Sequence, residues 1–390
     1  MARLIRIILT GEYPPQSGGV SDYCRQVAAA LANAGESVHV FAPACTGSTP
    51  VDAGVEVHRL PGGFHPLSLR TFRMAVEALP GHRRILLQYV PHAFGLKGMN
   101  LPFCGWLRNF RPVPLDVMFH EVAFPRVAGQ PLRHAVLATV QRLMARILVS
   151  QAARLYVSTE AWEPMLRSVG AASPVMCLPI PSNLPTHVNA LDAKFLRGRL
   201  IPSERGGLIG HFGTFGTEVA RLLADSLVPL LTFGPDRVAI LVGRGSEAFA
   251  SRFVAENPGL RAQVRATGEL PATDAALHLA ACDILLQPYP DGVTTRRTSF
   301  MAGLALGVPP ISNIGPLTER MWQTAPVPLA GAGSDLAPIA NRLLEDPALR
   351  QRTGRQGAAF YSSRLGIDIT VGGLVAAAVD AHIPLTERLP

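Results

Sequence analysis

Lysine is nearly missing from this chain of 390 residues: Lys97 and Lys194 are the only two, although lysine and arginine together number 36. The formal net charge of +8 therefore rests on arginines, and they are scattered through the chain. Scattered charge is not the clustered basic patch that nucleic acid or an anionic surface requires, so no nucleic-acid partner is expected. Charged residues make up only 16% of the chain against 48% hydrophobic, which excludes a disordered chain and describes a compact α/β protein of two or three domains. The five cysteines, Cys24, Cys45, Cys104, Cys177 and Cys282, are far apart, odd in number and free of any CxxC pair. Neither a zinc site nor a disulfide frame follows from them, and buried free thiols in a cytoplasmic setting are expected. No stretch approaches eighteen uninterrupted apolar residues, so no membrane span is expected. The run Leu4 to Leu9 is too short for the apolar region of a signal peptide. A GxGxxG fingerprint is missing too, which argues against a nicotinamide dinucleotide.

What the chain does contain is a repeated rhythm of short apolar runs and helical stretches. Leu4–Leu9, Val38–Ala42, Val55–Arg59, Ile85–Tyr89, Leu115–Phe119, Arg154–Val157 and Val175–Leu178 read as buried strands, with helices over Leu69–Leu79 and Pro131–Ser150 among them. Strands alternating with helices predict a parallel sheet covered on both faces. The proline-rich run Leu178 to Pro185 breaks this rhythm, which restarts near Gly206 with strands ending at Phe212, Val242 and Thr267 and at Gln287 and Ser312. The domains are expected at 1–185 and 186–365, with a C-terminal helix over 366–390 returning to the first.

Ligands of doubly wound sheets collect at the carboxyl ends of strands, so the loops there carry the functional reading. The most informative loop runs from Pro288 to Ser299. Gly292 frees the backbone, Thr294 and Thr295 are suited to capping a helix and offering hydroxyls, and Arg296 and Arg297 supply planar donor forks for phosphate oxygens. The plainer alternative is a capped helix with solvated arginines. At the amino end, Gly11 to Val20 is a Pro/Gly-rich loop in which Gly18 and Gly19 permit close backbone approach to a ligand at a helix start expected at Ser21 or Asp22. Gly213, Thr214 and Gly216, the Gly243-Arg244-Gly245 turn, and Glu269-Leu270 close three further strands. Their convergence with the Thr294 loop is a stronger signal than any one motif. His120-Glu121 ends the Leu115–Phe119 strand, where a histidine is either structural or aimed at substrate. The helix over Pro131–Ala153 carries Arg133, Arg142 and Arg146 among apolar residues, so either an ordinary solvated face or peripheral contact with the inner face of a membrane is open.

The run Pro288 to Ser299 followed by Met301 to Ile311, together with Glu12-Tyr13-Pro14-Pro15 and Gly18-Gly19 near the amino end, resembles the family-four glycosyltransferases, retaining enzymes of the GT-B fold. The resemblance extends over essentially the whole chain. It implies two Rossmann-like domains facing across a cleft, and transfer of a sugar from a nucleoside diphosphate sugar, of UDP or GDP type, to a hydroxyl acceptor. It also implies no further cofactor. In such enzymes the amino-terminal glycine loop closes over donor phosphates and acceptor. His120 falls where the family places a histidine near the donor's sugar and phosphate, and Arg244, Glu269 and Leu270 fall at donor-binding loops. The family usually carries two glutamates eight positions apart. With Gly307-Val308-Pro309 fixing the register they fall at Thr294 and Ala302, and neither is acidic. The expected catalytic set is therefore His120, Glu121 and Arg296. The expected donor set is Gly18, Gly19, Gly213, Thr214, Arg244, Glu269, Leu270, Gly292, Thr294, Thr295 and Arg297. No DxD pair marks a metal. A phosphorylase would need a pyridoxal-bearing lysine in the second domain, and none follows Gly206. A nucleotide-sugar epimerase would need acid and histidine pairs for which Asp291 and His211 are poor substitutes. A protein that binds a sugar nucleotide or a partner subunit without turnover remains the alternative.

Overall fold

The computed structural model describes residues 3–110, 113–203, 206–331 and 335–379. The chain divides into two compact units, one made of the residues up to Pro179 together with those from Ile367 onward, the other of Ile180–Gly366.

The first unit holds seven parallel strands: β1 (Ile5–Thr10), β2 (Ser37–Pro43), β3 (Val55–Leu60), β4 (Arg83–Tyr89), β5 (Leu115–Phe119), β6 (Arg154–Val157) and β7 (Val175–Cys177). Their order in the sheet is β3-β2-β1-β4-β5-β6-β7. The helices α1 (Gly19–Asn33), α2 (Pro66–Ala78), α3 (Leu101–Asn109), α4 (Leu132–Val149) and α5 (Glu163–Ser168) connect them. Strands β1, β4 and β5 are almost wholly buried, as expected of apolar runs covered on both faces. The buried charges that β1 and β4 carry are paired. Arg6 donates twice to Glu36 at 2.8 Å, and Arg84 donates to both oxygens of Asp116 at 2.6 and 2.7 Å. Buried charges persist only when partnered in this way.

The second unit repeats the plan with β8 (Leu208–Phe212), β9 (Val238–Val242), β10 (Val264–Ala266), β11 (Ile284–Leu286), β12 (Pro310–Asn313) and β13 (Leu329–Ala330), in the order β10-β9-β8-β11-β12-β13. Its helices are α6 (Ala190–Leu200), α7 (Thr217–Phe233), α8 (Ser246–Glu256), α9 (Ala272–Ala280), α10 (Thr298–Ala305), α11 (Ala337–Glu345) and α12 (Pro347–Arg364). The final helix, α13 (Ile367–Val379), packs against α1 in the first unit. There the Thr370 hydroxyl donates to the Pro179 carbonyl at 2.9 Å. The expected last helix ran on to residue 381, and its end lies outside the described residues.

Both sheets reverse direction at one place, between β1 and β4 in the first unit and between β8 and β11 in the second. At such a reversal the connections leave in opposite directions and open a crevice at the strands' carboxyl ends. The loops that leave β1, β8 and β11 are among those singled out by the sequence, whereas the one after β4 is not.

Candidate active site

In the second unit the loop after β8 runs through Gly213, Thr214, Phe215 and Gly216 into α7, whose first residues receive no side-chain cap. Its amino-terminal N–H groups face the switch point without an internal acceptor from the capping residue, which is the arrangement that favours an anion. Thr214 and Gly216 are exposed. Three turns interlock here. The Gly213 amide donates to the Val242 carbonyl at 3.1 Å, the Gly243 amide donates to the Gly268 carbonyl at 2.9 Å, and the Gly268 amide donates to the Ser246 hydroxyl at 3.0 Å. Gly243 has φ +117°, and a side chain at that position would overlap the Gly213 carbonyl. The glycine is therefore required both by conformation and by closeness. Arg244 and Glu269 stand together outside this turn as an exposed pair at 3.1 Å. The guanidinium holds the Glu269 carboxyl below its usual range through that hydrogen bond. Leu270 is partly buried against an apolar cluster of the second unit.

The loop after β11 is buried where the sequence suggested open capping groups. Thr294 and Thr295 are each 1% exposed. Helix α10 begins at Thr298 with Arg297 as its capping residue, so neither threonine caps it. The reason is a residue outside the local motif. Glu319, itself buried, accepts from the Thr295 amide at 3.0 Å, from the Thr295 hydroxyl at 2.7 Å and from the Trp322 indole at 2.8 Å. Gly292, at φ +82°, is pressed against Gly315 and the Thr318 hydroxyl, leaving no room for a side chain. Arg297 lies 4.6 Å over the Tyr289 ring and 3.8 Å from Asp291, and its Nε has no hydrogen-bond partner. Arg296 is half-buried beside it. The Thr294 hydroxyl, the Gln287 amide nitrogen and His211 Nε2 are also buried without a partner. His211 donates through Nδ1 to the Leu286 carbonyl at 2.7 Å, and burial pushes its imidazole down to about 4. Unpaired buried polar atoms are costly, and here four of them gather around β8, β11 and the loop after β11. Ala302, the second position at which the resemblance implied a carboxylate, is fully buried in an apolar cluster with Leu285 and Ala276.

In the first unit, His120 follows β5 and is 7% exposed. Its Nε2 donates to the Gln88 side-chain oxygen at 2.8 Å, and its ring meets Tyr23 edge-on at 4.9 Å. Glu121, next to it, is exposed. Gln88 closes β4 and pairs in register with Thr10 of β1, so the switch point of this sheet carries Thr10, Gln88 and His120 together. Helix α1 starts at Gly19, two residues earlier than expected. Its terminus already holds an anion: Glu12 Oε1 accepts from the Ser21 amide at 3.0 Å, and a side chain at Gly18 would come within 2.6 Å of that oxygen. Gly19 is open on the surface, with nothing within 4 Å of where a side chain would begin.

Glu12, Gln88, Gln287 and Glu319 were not identified as site residues from the sequence. The two glutamines did leave a signal, because each follows the apolar run Ile-Leu-Leu near the carboxyl end of a strand. Glu319 left none, being separated from Thr295 by a whole helix and strand.

These features agree with the likenesses to known proteins. Residues 18–181 match the family model of the glycosyl transferase 4-like domain. The D-inositol 3-phosphate glycosyltransferase of Actinosynnema mirum is 23% identical over 357 residues, 84% of this chain and 78% of that protein. Among solved structures, the sucrose-phosphate synthase of Thermosynechococcus elongatus superposes with a TM-score of 0.72 at 20% identity, covering 97% of this chain and all 100% of the other. The Anabaena protein HepE, in complex with UDP and glucose, superposes with a TM-score of 0.69 at 16% identity, covering 96% and 99%. With two parallel-sheet units of one strand order, the chain has the GT-B fold, and its residues 18–181 match the glycosyl transferase 4-like domain.

Proposed function

We propose that this chain transfers a sugar from a nucleoside diphosphate sugar to a hydroxyl acceptor with retention of anomeric configuration and without a catalytic metal. The observation that carries the reading is the start of α7. An uncapped helix terminus follows a Gly-Thr-Phe-Gly loop at the switch point of the second sheet, beside the buried unpaired atoms of Thr294, Arg297 and His211. A diphosphate accepts from such groups, and their fixed orientation stabilises the charge that grows on the leaving phosphate. HepE holds UDP and glucose, so a uridine diphosphate sugar is the first donor to test.

In this reading Arg296, Arg297, Thr294 and the Gly213–Gly216 loop hold the diphosphate. Gly292 and Thr295 keep the loop in shape, and Arg244, Glu269 and Leu270 sit beside the nucleoside. In the first unit Gly18, Gly19, His120 and Glu121 face the acceptor and the transferred sugar. Because the Glu12 carboxylate already fills the α1 terminus, that loop suits a hydroxyl donor better than a second phosphate. The bond from the anomeric carbon to the phosphate oxygen breaks, the acceptor oxygen forms the new bond, and its proton passes to the departing phosphate. No protein nucleophile is required.

Location is part of the proposal: a cytoplasmic protein able to touch the inner face of a membrane. No helix among the described residues is long and apolar enough to cross one. Leu132, Val136 and Leu143 are exposed on α4 next to Arg133 and Arg146, a face suited to an anionic lipid surface.

The test is thermal unfolding with UDP, GDP, dTDP and ADP, with and without magnesium. A diphosphate at about a hundred times its dissociation constant adds about 2.7 kcal/mol, enough to raise the midpoint by several degrees. Stabilisation by one diphosphate without magnesium is expected, and Arg296→Ala should weaken the binding free energy of that diphosphate by about 1.5–3 kcal/mol. No shift with any of them overturns the reading. A second reading, binding without turnover, is favoured by the absence of carboxylates at Thr294 and Ala302. It is distinguished by a donor that stabilises the protein and is neither transferred nor hydrolysed.

A further inference from the structure

At the edge of the first sheet three side chains meet that the proposed reaction does not use. His39 lies on β2, and Glu56 and His58 lie on β3, the outermost strand. His39 is the register partner of Glu56 and Phe41 that of His58, so the two histidines, the glutamate and the phenylalanine share one face of the sheet. His39 Nδ1 is 3.1 Å from His58 Nε2 and 3.4 Å from Glu56 Oε2, while His58 Nε2 is 3.4 Å from Glu56 Oε1. We propose that this triangle is a binding site for one divalent transition-metal ion of the imidazole-preferring kind, zinc first.

The two imidazole nitrogens lie within hydrogen-bond distance of each other, and the carboxylate stands at the spacing of a metal ligand. The carboxylate is 3.4 Å from both imidazoles, beyond the 2.7–3.2 Å of a good N–H···O bond, yet it stands between them. Metal–ligand bonds of about 2.0–2.1 Å at tetrahedral angles put two ligand atoms about 3.3–3.4 Å apart. The two imidazole nitrogens at 3.1 Å, and the 3.4 Å from His39 to Glu56 Oε2 and from His58 to Glu56 Oε1, are each close to that spacing, and one ligand atom from each residue lies within 4.8 Å of the other two. The donor set, two neutral imidazoles and a carboxylate, is one that zinc accepts, and it leaves a fourth position for water on the exposed Glu56 side. Ring orientation is fixed in advance. His58 stacks on Phe41 at 4.4 Å and 12°, and His39 lies parallel to His58 at 5.4 Å and 20°. Such bracing is what a ligand shell needs in order not to lose entropy on binding. The ion would tie the edge strand to its neighbour. All three side chains lie within the strands and not in the loops at their carboxyl ends, so its effect is expected on stability and not on turnover.

The experiment uses the full chain, freed of any affinity tag and stripped with a chelator, titrated with zinc and with cobalt. One equivalent should bind, cobalt should develop the visible absorption of a tetrahedral site, and the thermal midpoint should rise, while magnesium at the same concentration does nothing. Glu56→Gln and His58→Gln should each lose at least about tenfold in zinc affinity and lose the cobalt band. Glu56 is exposed, so Glu56→Gln leaves the metal-free fold intact and carries the test even if His58→Gln unfolds. Failure of the wild-type chain to bind zinc stoichiometrically, or unchanged affinity in Glu56→Gln, overturns the site; the latter result would place the ion on other groups such as the thiols.

Discussion

The two units are built on one strand order, and the fourth strand region in each includes the same tetrapeptide, Ile85-Leu86-Leu87-Gln88 in the first and Ile284-Leu285-Leu286-Gln287 in the second. They differ in where each spends its acid. In the first unit Glu12 sits on the amino end of α1 and satisfies the Ser21 amide. In the second, α7 starts without a side-chain cap, and the acid, Glu319, is placed on the far side of β11 to brace Thr295. One sheet thus fills its own anion site and the other leaves it open, which is why the diphosphate is assigned to the second. On the same sheet plan, one carboxylate is placed at a helix terminus in the first unit and in a loop contact in the second.

The largest test of this contrast is Glu319→Ala. It strands the Thr295 amide, the Thr295 hydroxyl and the Trp322 indole in the interior, and should destabilise the second unit by about 4 kcal/mol in urea unfolding. Glu12→Ala removes a single half-buried acceptor at a helix start and should cost about 1 kcal/mol. Equal losses would break the contrast.

A smaller effect is set by pH. Burial lowers the His211 pKa to about 4 from the ordinary 6.5, so between those values the unfolded chain carries a proton that the folded one refuses. Its contribution is fully present above about pH 6.5 and is lost as pH falls toward 4, about 3 kcal/mol in all. His211→Asn should flatten that part of the curve, measured as unfolding free energy at pH 7 and pH 5.

Smaller again is the conversion of the second unit to the first unit's habit. Thr214→Glu puts a carboxylate before α7 and, if the diphosphate reading holds, should weaken UDP binding at least about tenfold, or about 1.4 kcal/mol, in calorimetry. The smallest separates the two glutamines. Both amide nitrogens lack a partner, but Gln88→Leu removes the 2.8 Å acceptor of His120 and should cost about 1 kcal/mol, whereas Gln287→Met removes only a 3.5 Å acceptor of the Tyr289 hydroxyl and should be nearly neutral.

Much of the fold could be read from local pattern. Leu115–Phe119 and Arg154–Val157 are strands over those very residues, because a parallel strand buried on both faces is an apolar run with sharp ends. Helices α3 and α6 were not foreseen. The first is nine residues long and contains Pro102 and Gly105, which read as breakers, and the second is so even in its polarity that it lacks the one-sided pattern that marks a surface helix. The loops after β8, β9 and β11 were legible from their glycines, whose positive φ at Gly243, Gly245 and Gly292 is a local demand. What those loops do was not. Thr295 reads as a helix cap until Glu319, 24 positions away, takes its hydroxyl. Gly18 reads as a phosphate turn until Glu12 is seen beside it. Backbone shape is written nearby in the chain, whereas the partner of a polar atom is chosen by packing.

The first unit is also discontinuous. Its α1 is covered by α13, and the Arg6 guanidinium, buried beneath β1, donates to the Leu374 carbonyl at 3.4 Å. Residues 180–366 form the other unit without interruption. During synthesis the second unit is therefore complete before the first can be, although most of the first has already left the ribosome. Until α13 arrives, the apolar flank of α1 has nothing to cover it, and this waiting intermediate is the species that a chaperone, or a neighbouring nascent chain, would meet.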